Sequence, residues 1–135
     1  MDGLGRVFNL IPTADGVFVN LKDAAGVTFV GVGADTYTVQ SSATASGGTD
    51  LDVVTRWYEN ANANGSTAWT QHADQAADAA VMTSAAVAAI EVDAKSLPDG
   101  HKYIKCSSGS SGLVYAIVHD LDVQRTPKNL AALGV

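Results

Sequence analysis

Apolar and polar residues alternate along most of this chain with the period of two that belongs to β-strands, in short runs separated by turn residues. Residues 6–11 form a first run that stops at Pro12, ahead of a turn over residues 13–16. In residues 17–22, Val17, Val19 and Leu21 share one face, and Phe18, Asn20 and Lys22 the other. Residues 23–26 turn the chain into residues 27–32, whose apolar character on both faces predicts a central strand. In residues 36–40 the pattern points Tyr37 and Val39 inward and the threonines and Gln40 outward. A loop rich in Ser, Thr, Ala and Gly follows over residues 41–50.

Strand chemistry returns in residues 52–58, with Val54, Arg56 and Tyr58 opposite Val53, Thr55 and Trp57. The polar turn over residues 60–66 contains Asn64-Gly65, a pair suited to positive φ, and predicts a hairpin over residues 53–71 in which Trp57 and Trp69 could sit across from one another. In residues 72–81, Ala73, Ala76, Ala77, Ala80 and Val81 keep helical spacing. Alanine buries little area, so a non-helical path is expected for most of this segment. Residues 87–93 predict a strand and residues 96–100 a type I turn. Residues 101–107 are expected to pair with residues 112–124 across a Ser-Gly loop. In that last strand Leu113, Tyr115, Ile117, His119, Leu121 and Val123 share a face. The other face turns polar at Asp120, Asp122 and Gln124, which predicts burial on both sides early and half-exposure later. No repeat of fixed period is visible. The pattern predicts an all-β fold, an antiparallel β-sandwich or jelly roll of about eight to ten short strands over residues 1–124, with an extended C-terminal tail over residues 125–135.

Composition narrows the function classes. A chain of 135 residues suits one domain with a real core. A net charge of −6 argues against nucleic acid as a partner, because phosphate binding wants a basic face. The acids are almost all Asp, with Glu at positions 59 and 91 only, and Asp favours turns and caps over helix interiors. A single cysteine, Cys106, excludes an internal disulfide framework and a cysteine-rich metal site. The first residues lack the pattern of a secretory signal and no apolar run approaches membrane-spanning length. The expectation is a protein made and used without processing and without a membrane partner.

Candidate chemistry is thin. His72, His101 and His119 have no ligand spacing, and the pairs Asp50/Asp52 and Asp120/Asp122 read as solvated faces sooner than as calcium ligands. Cys106 reads as a small hydrophobe and His119 as a hydrogen-bonded core or interface histidine; neither brings a nucleophile together with a base and an orienting acid. No glycine-rich phosphate loop links a strand to a helix. The expectation is a protein without catalytic activity, without metal and without cofactor. Trp57, Tyr58 and Trp69 could form a sugar-stacking surface, although cross-strand packing is the ordinary use of such residues. The tail stands apart. Pro127 withholds a backbone donor and pushes Thr126 into an extended form. What remains is short, mildly basic at Arg125 and Lys128, and tipped with Leu130, Leu133 and Val135, so it must fold back on its own domain or lie on a neighbouring subunit.

The order of these pieces carries a resemblance. The strand Val27-Thr28-Phe29-Val30 precedes Asp35-Thr36-Tyr37-Thr38-Val39. A Trp-Tyr strand and a Gly-Ser-x-x-Trp-Thr return at residues 65–70 follow. Then come Ile90-Glu91-Val92-Asp93-Ala94, Leu97-Pro98-Asp99-Gly100-x-Lys102-Tyr103-Ile104-Lys105, and a closing His119-Asp120-Leu121-x-Val123-Gln124-Arg125-x-Pro127-x-Asn129-Leu130. Over nearly its whole length the chain resembles small structural proteins of long-tailed bacteriophages, especially those of actinobacterial hosts. The resemblance implies a virion component made in the host cytoplasm, a capsid decoration or minor capsid protein on the head surface. It implies the major capsid protein as partner and self-association, with a trimer favoured. On that reading Arg125, Pro127, Lys128, Asn129, Leu130, Leu133 and Val135 are the subunit or capsid contacts. A head–tail connector or tail component is the alternative, and a carbohydrate-binding surface module a more distant one.

Overall fold

A computed structural model describes residues 3–51, 53–54, 56–72, 75–76 and 80–133, with residues 53–54, 75–76, 80 and 82 described by their backbone alone. Its strands are β1 (Phe8–Ile11), β2 (Val19–Asn20), β3 (Ala24–Val32), β4 (Thr36–Ser42), β5 (Thr49–Asp50), β6 (Val53–Val54) and β7 (Arg56–Asn60). They continue as β8 (Thr70–His72), β9 (Gln75–Ala76), β10 (Ala80–Met82), β11 (Val87–Asp93), β12 (Tyr103–Ser108) and β13 (Leu113–Leu121). Two antiparallel sheets form a β-sandwich. A six-stranded sheet runs β1-β13-β3-β11-β7-β8, and a second runs β10-β4-β12-β2 with β5 beside β4. A small ribbon pairs β6 with β9. Among the described residues there is no α-helix, only single 3₁₀ turns at Ala94–Ser96 and Pro127–Asn129.

The run over residues 27–32 is central, as its two apolar faces require: β3 is flanked by β13 and β11. The core lies between the sheets. Val27, Phe29, Ile90, Ala116 and Val118 come from one sheet; Val19, Tyr37, Val39, Ile104 and Cys106 come from the other. Fully burying one such aliphatic or aromatic side chain contributes about 1.5–3 kcal/mol. Tyr37 fixes how closely the sheets approach. Its hydroxyl donates to the Gly33 carbonyl at 2.6 Å. Its ring lies over Gly31, where a Cβ would stand 2.5 Å from Cζ, so only glycine fits there.

Four expectations are corrected. Residues 101–107 and 112–124 do not form a hairpin. Both edges of β12 are occupied by β4 and β2, and both edges of β13 by β3 and β1, so the chain crosses from one sheet to the other between them. The crossing is held by Asp35, whose carboxylate accepts the backbone N–H groups of Ser110 at 3.0 Å and Gly112 at 2.9 Å. In the hairpin of β7 and β8, Trp57 faces His72 and not Trp69. The two rings stack at 4.0 Å, while Trp69 stays 51% exposed. The reason is register: the pairing is shifted three residues along the chain, from Trp69 to His72 in β8, and a polar His–aromatic pair closes the core edge. The turn before β12 is closed by the His101 N–H on the Pro98 carbonyl at 3.0 Å, with Gly100 at φ +80 in its third position, which is the signature of type II.

The fourth correction concerns β13. Its core face is Val114, Ala116 and Val118, while the bulkier Leu113, Tyr115, Ile117 and His119 lie on the outside of the sheet. Within residues 72–81 the described parts are short strands, β9 and β10. Ala73, Asp74 and residues 77–79 lie outside the described residues.

Candidate functional site

The C-terminal tail takes the first of the two courses open to it: it folds back on its own domain. After β13 the Asp122 N–H donates to the Asp23 carbonyl at 2.9 Å, and the Arg125 N–H to the Gly5 carbonyl at 2.9 Å. Thr126 is extended at φ −66 and ψ 148, and Pro127 opens the 3₁₀ turn that the Leu130 N–H closes on the Pro127 carbonyl at 3.2 Å. The strap ends where the Leu133 carbonyl accepts the Asn20 N–H at 2.6 Å. That bond occupies the edge of β2 that β12 leaves open.

Few side chains hold the strap down. Leu133 packs against the core and Leu130 is half-buried, whereas Arg125, Pro127, Lys128 and Asn129 are exposed. Among the described residues neither Arg125 nor Lys128 forms an ion pair. Val135 lies outside the described residues. Beneath the strap is a cavity of about 180 Å³, bounded by Ala24, Val118, Leu121, Val123, Leu130 and Leu133 among others. The tail is therefore held by backbone bonds and two inward-facing leucines, with its cationic groups turned outward.

The other candidates are dispersed. Trp57 is only 6% exposed, Tyr58 points to the opposite face of β7, and Trp69 stands in the loop before β8, so the three do not form one stacking platform. Among the described residues no three His, Cys, Asp or Glu side chains gather as a metal site would need. Asp50 is engaged by the Gln40 amide at 2.6 Å, and Asp52 lies outside the described residues. Asp120, at φ +54, turns its carboxylate to the His119 Nδ1 at 2.7 Å.

His119 Nε2 in turn lies 3.0 Å from the Thr28 hydroxyl, an order of hydroxyl, imidazole and carboxylate that a nucleophile would share. The surroundings lack the rest of such a site. Thr28 sits mid-strand in β3, which is paired on both sides, so the backbone N–H groups around it are consumed in the ladders and none is left for an oxyanion. The triplet ties His119 down over Gly26, where a Cβ would stand 2.9 Å from its ring. Ser41 and His101 pair at 2.8 Å, but Ser41 is fully buried in the sandwich and out of reach of a substrate. Burial pushes the Cys106 thiol up to about 12, far from the reactive thiolate range.

Sequence reasoning missed one feature, the outside of the six-stranded sheet. There Leu10 faces Ile117 across β1 and β13, Val30 faces Tyr115 across β3 and β13, and Ala89 faces both Val30 and Tyr58. Leu10 is 42% exposed and Leu113 58% exposed. The available signal was the double apolar pattern of residues 27–32 and 113–118, which admits either two buried faces or one buried and one awaiting a partner. Compared with protein-family models, with curated proteins and with solved structures, the chain gives no match to any of them.

Proposed function

We propose that this chain is a structural protein of a bacteriophage virion, a capsid decoration protein that binds the outside of the head shell and bridges major capsid subunits as a homo-oligomer, a trimer by its resemblance. The observation that carries the reading is the C-terminal strap. Arg125 and Lys128 are exposed and unpaired among the described residues, and Leu130 and Leu133 are only half-buried. Release of the strap costs few contacts and frees apolar anchors flanked by cations, the composition that a clamp between subunits uses. The sandwich supplies a rigid acidic body, and an acidic body does not adhere to nucleic acid. The mechanism is mechanical: area buried across subunit boundaries must be undone before the shell opens.

Quantitative mass spectrometry of purified virions tests the role by copy number relative to the major capsid protein. A ratio of the same order is expected for decoration. A handful of copies per particle would move the chain to the connector or tail, and complete absence would overturn a virion role. Deleting residues 125–135 tests the strap. The truncated chain is expected to fold and to lose co-sedimentation with capsid shells, and full retention of binding would remove the tail from the interface.

A further inference from the structure

We propose that the outer face of the six-stranded sheet is a docking surface for a second copy of this chain. The face is built row by row from the registers. Leu113, Val32 and Val87 form one row; Tyr115, Val30, Ala89 and Tyr58 a second; Leu10, Ile117 and Thr28 a third, which ends in Glu91 and Arg56. All the apolar members with described burial on this outward side, except Val87, remain half-exposed or exposed. An antiparallel sheet with one face on its core ordinarily presents polar residues on the other. The companion sheet does so, with Thr38 beside Ser107 and Gln40 beside Lys105 outside. An apolar band left open is thus specific to one face, since Phe18 and Tyr103 outside the companion sheet are buried against one another.

Its area suits a protein partner. Twelve positions, each spanning about 4.8 Å across the strands and about 6.8 Å along them, present roughly 400 Å² per copy. A second copy doubles the area removed from water to about 800 Å², the size of a weak, reversible association. Electrostatics selects the partner. The chain carries −6, so two copies approach each other with least repulsion across an uncharged surface. At the corner of the face Arg56 lies 3.6 Å from Glu91 and 3.4 Å from Asp93, so the same patch offers both signs, as a self-complementary contact requires. A lipid surface would instead want a basic rim, and this rim carries Glu91, Asp93 and Asp120.

The inference rests on the proposed function only for self-association and not for capsid binding, because it uses no residue of the strap and is read without capsid. Sedimentation equilibrium of the full chain at high micromolar concentration should give a monomer–dimer equilibrium of the 13.8 kDa chain. Ile117→Glu with Tyr115→Glu should reduce it to the monomer while the β-sheet circular dichroism is kept. Should that pair disturb folding, Leu113→Glu at the most exposed edge carries the same test. A wild-type chain that sediments as a monomer would overturn the proposal. So would an oligomer unchanged by the folded variants, since association would then run through another surface. A monomeric chain that binds capsid shells and loses them with Ile117→Glu would also overturn it, assigning the face to the capsid protein. Loss of shell binding on deletion of residues 125–135, with the oligomer intact, would separate the two surfaces.

Discussion

The two outer faces of the sandwich are made by the same alternation and end in opposite chemistry. On β4 and β12 the outward positions are Thr38, Gln40, Lys105 and Ser107, and the inward ones Val39, Cys106 and Ile104. On β13 and β3 the outward positions are Tyr115, Ile117, Val30 and Val32, and they are as apolar as Val114, Ala116, Val27 and Phe29 beneath them. Water pays one face its ordinary solvation and leaves the other with apolar surface still to bury. Alternation therefore locates a core face only where the opposite positions are polar. On β13 the larger side chains point outward, because the inner positions must fit beneath the other sheet at a fixed inter-sheet distance of about 10 Å. Small residues such as Ala116 suit that space.

Substitutions on the two sides of one sheet probe this difference most strongly. Phe29→Ala, at a fully buried position facing the other sheet, is expected to cost about 3–5 kcal/mol in urea unfolding. Gly31→Ala drives a methyl into the Tyr37 ring and is expected to cost about 1–3 kcal/mol by the same measurement. Ile117→Glu, one strand away from Phe29 but on the outside, is expected to cost less than about 1 kcal/mol in folding while removing self-association. Thr38→Glu, at the matching depth on the polar face, should change neither. Equal effects of Ile117→Glu and Thr38→Glu on sedimentation would erase the contrast.

Two chemical probes sharpen the picture with smaller effects. Cys106 lies on the inner side of β12, and its thiol, pushed up to about 12 by burial, should react with Ellman's reagent at pH 8 only on unfolding. Rapid labelling of the native chain would contradict the inward placement of that strand. Asp35 anchors the crossing between the sheets. Backbone donors, first Gly112 and then Thr36, hold its carboxyl below the usual value of 3.8. A lowered pKa means that its contribution is present above pH 3.8 and is lost as pH falls through the lowered value. Thermal unfolding of wild type and Asp35→Asn should therefore differ at neutral pH and converge in acid. A difference that persists undiminished at low pH would mean that the ionised carboxylate is not what secures the loop.

Strand positions were legible in the chain because period-two patterning and turn residues are local. Residues 87–93 form β11 as expected, and Gly65 takes the positive φ predicted for its turn. The tail's break at Pro127 was legible for the same reason, since the ring restricts φ and removes a donor wherever it stands. Pairing was not legible. Whether β12 meets β13 or crosses away depends on which strands already occupy their edges, and those strands lie up to about a hundred residues distant. The partner of Trp57 was missed likewise, because register across a long polar connection is set by packing and not by turn chemistry.

The sequence by itself determined an all-β chain of short antiparallel strands, acidic, with one cysteine and a tail that cannot continue its last strand. Those properties follow from neighbours along the chain. Tertiary structure alone decided which side of β13 is core, that the tail straps back over a cavity to the edge of β2, and that Tyr115, Ile117 and Val30 share an open face. Each of these depends on two sheets closing on one another, and the free energy of that closure belongs to residues far apart in sequence.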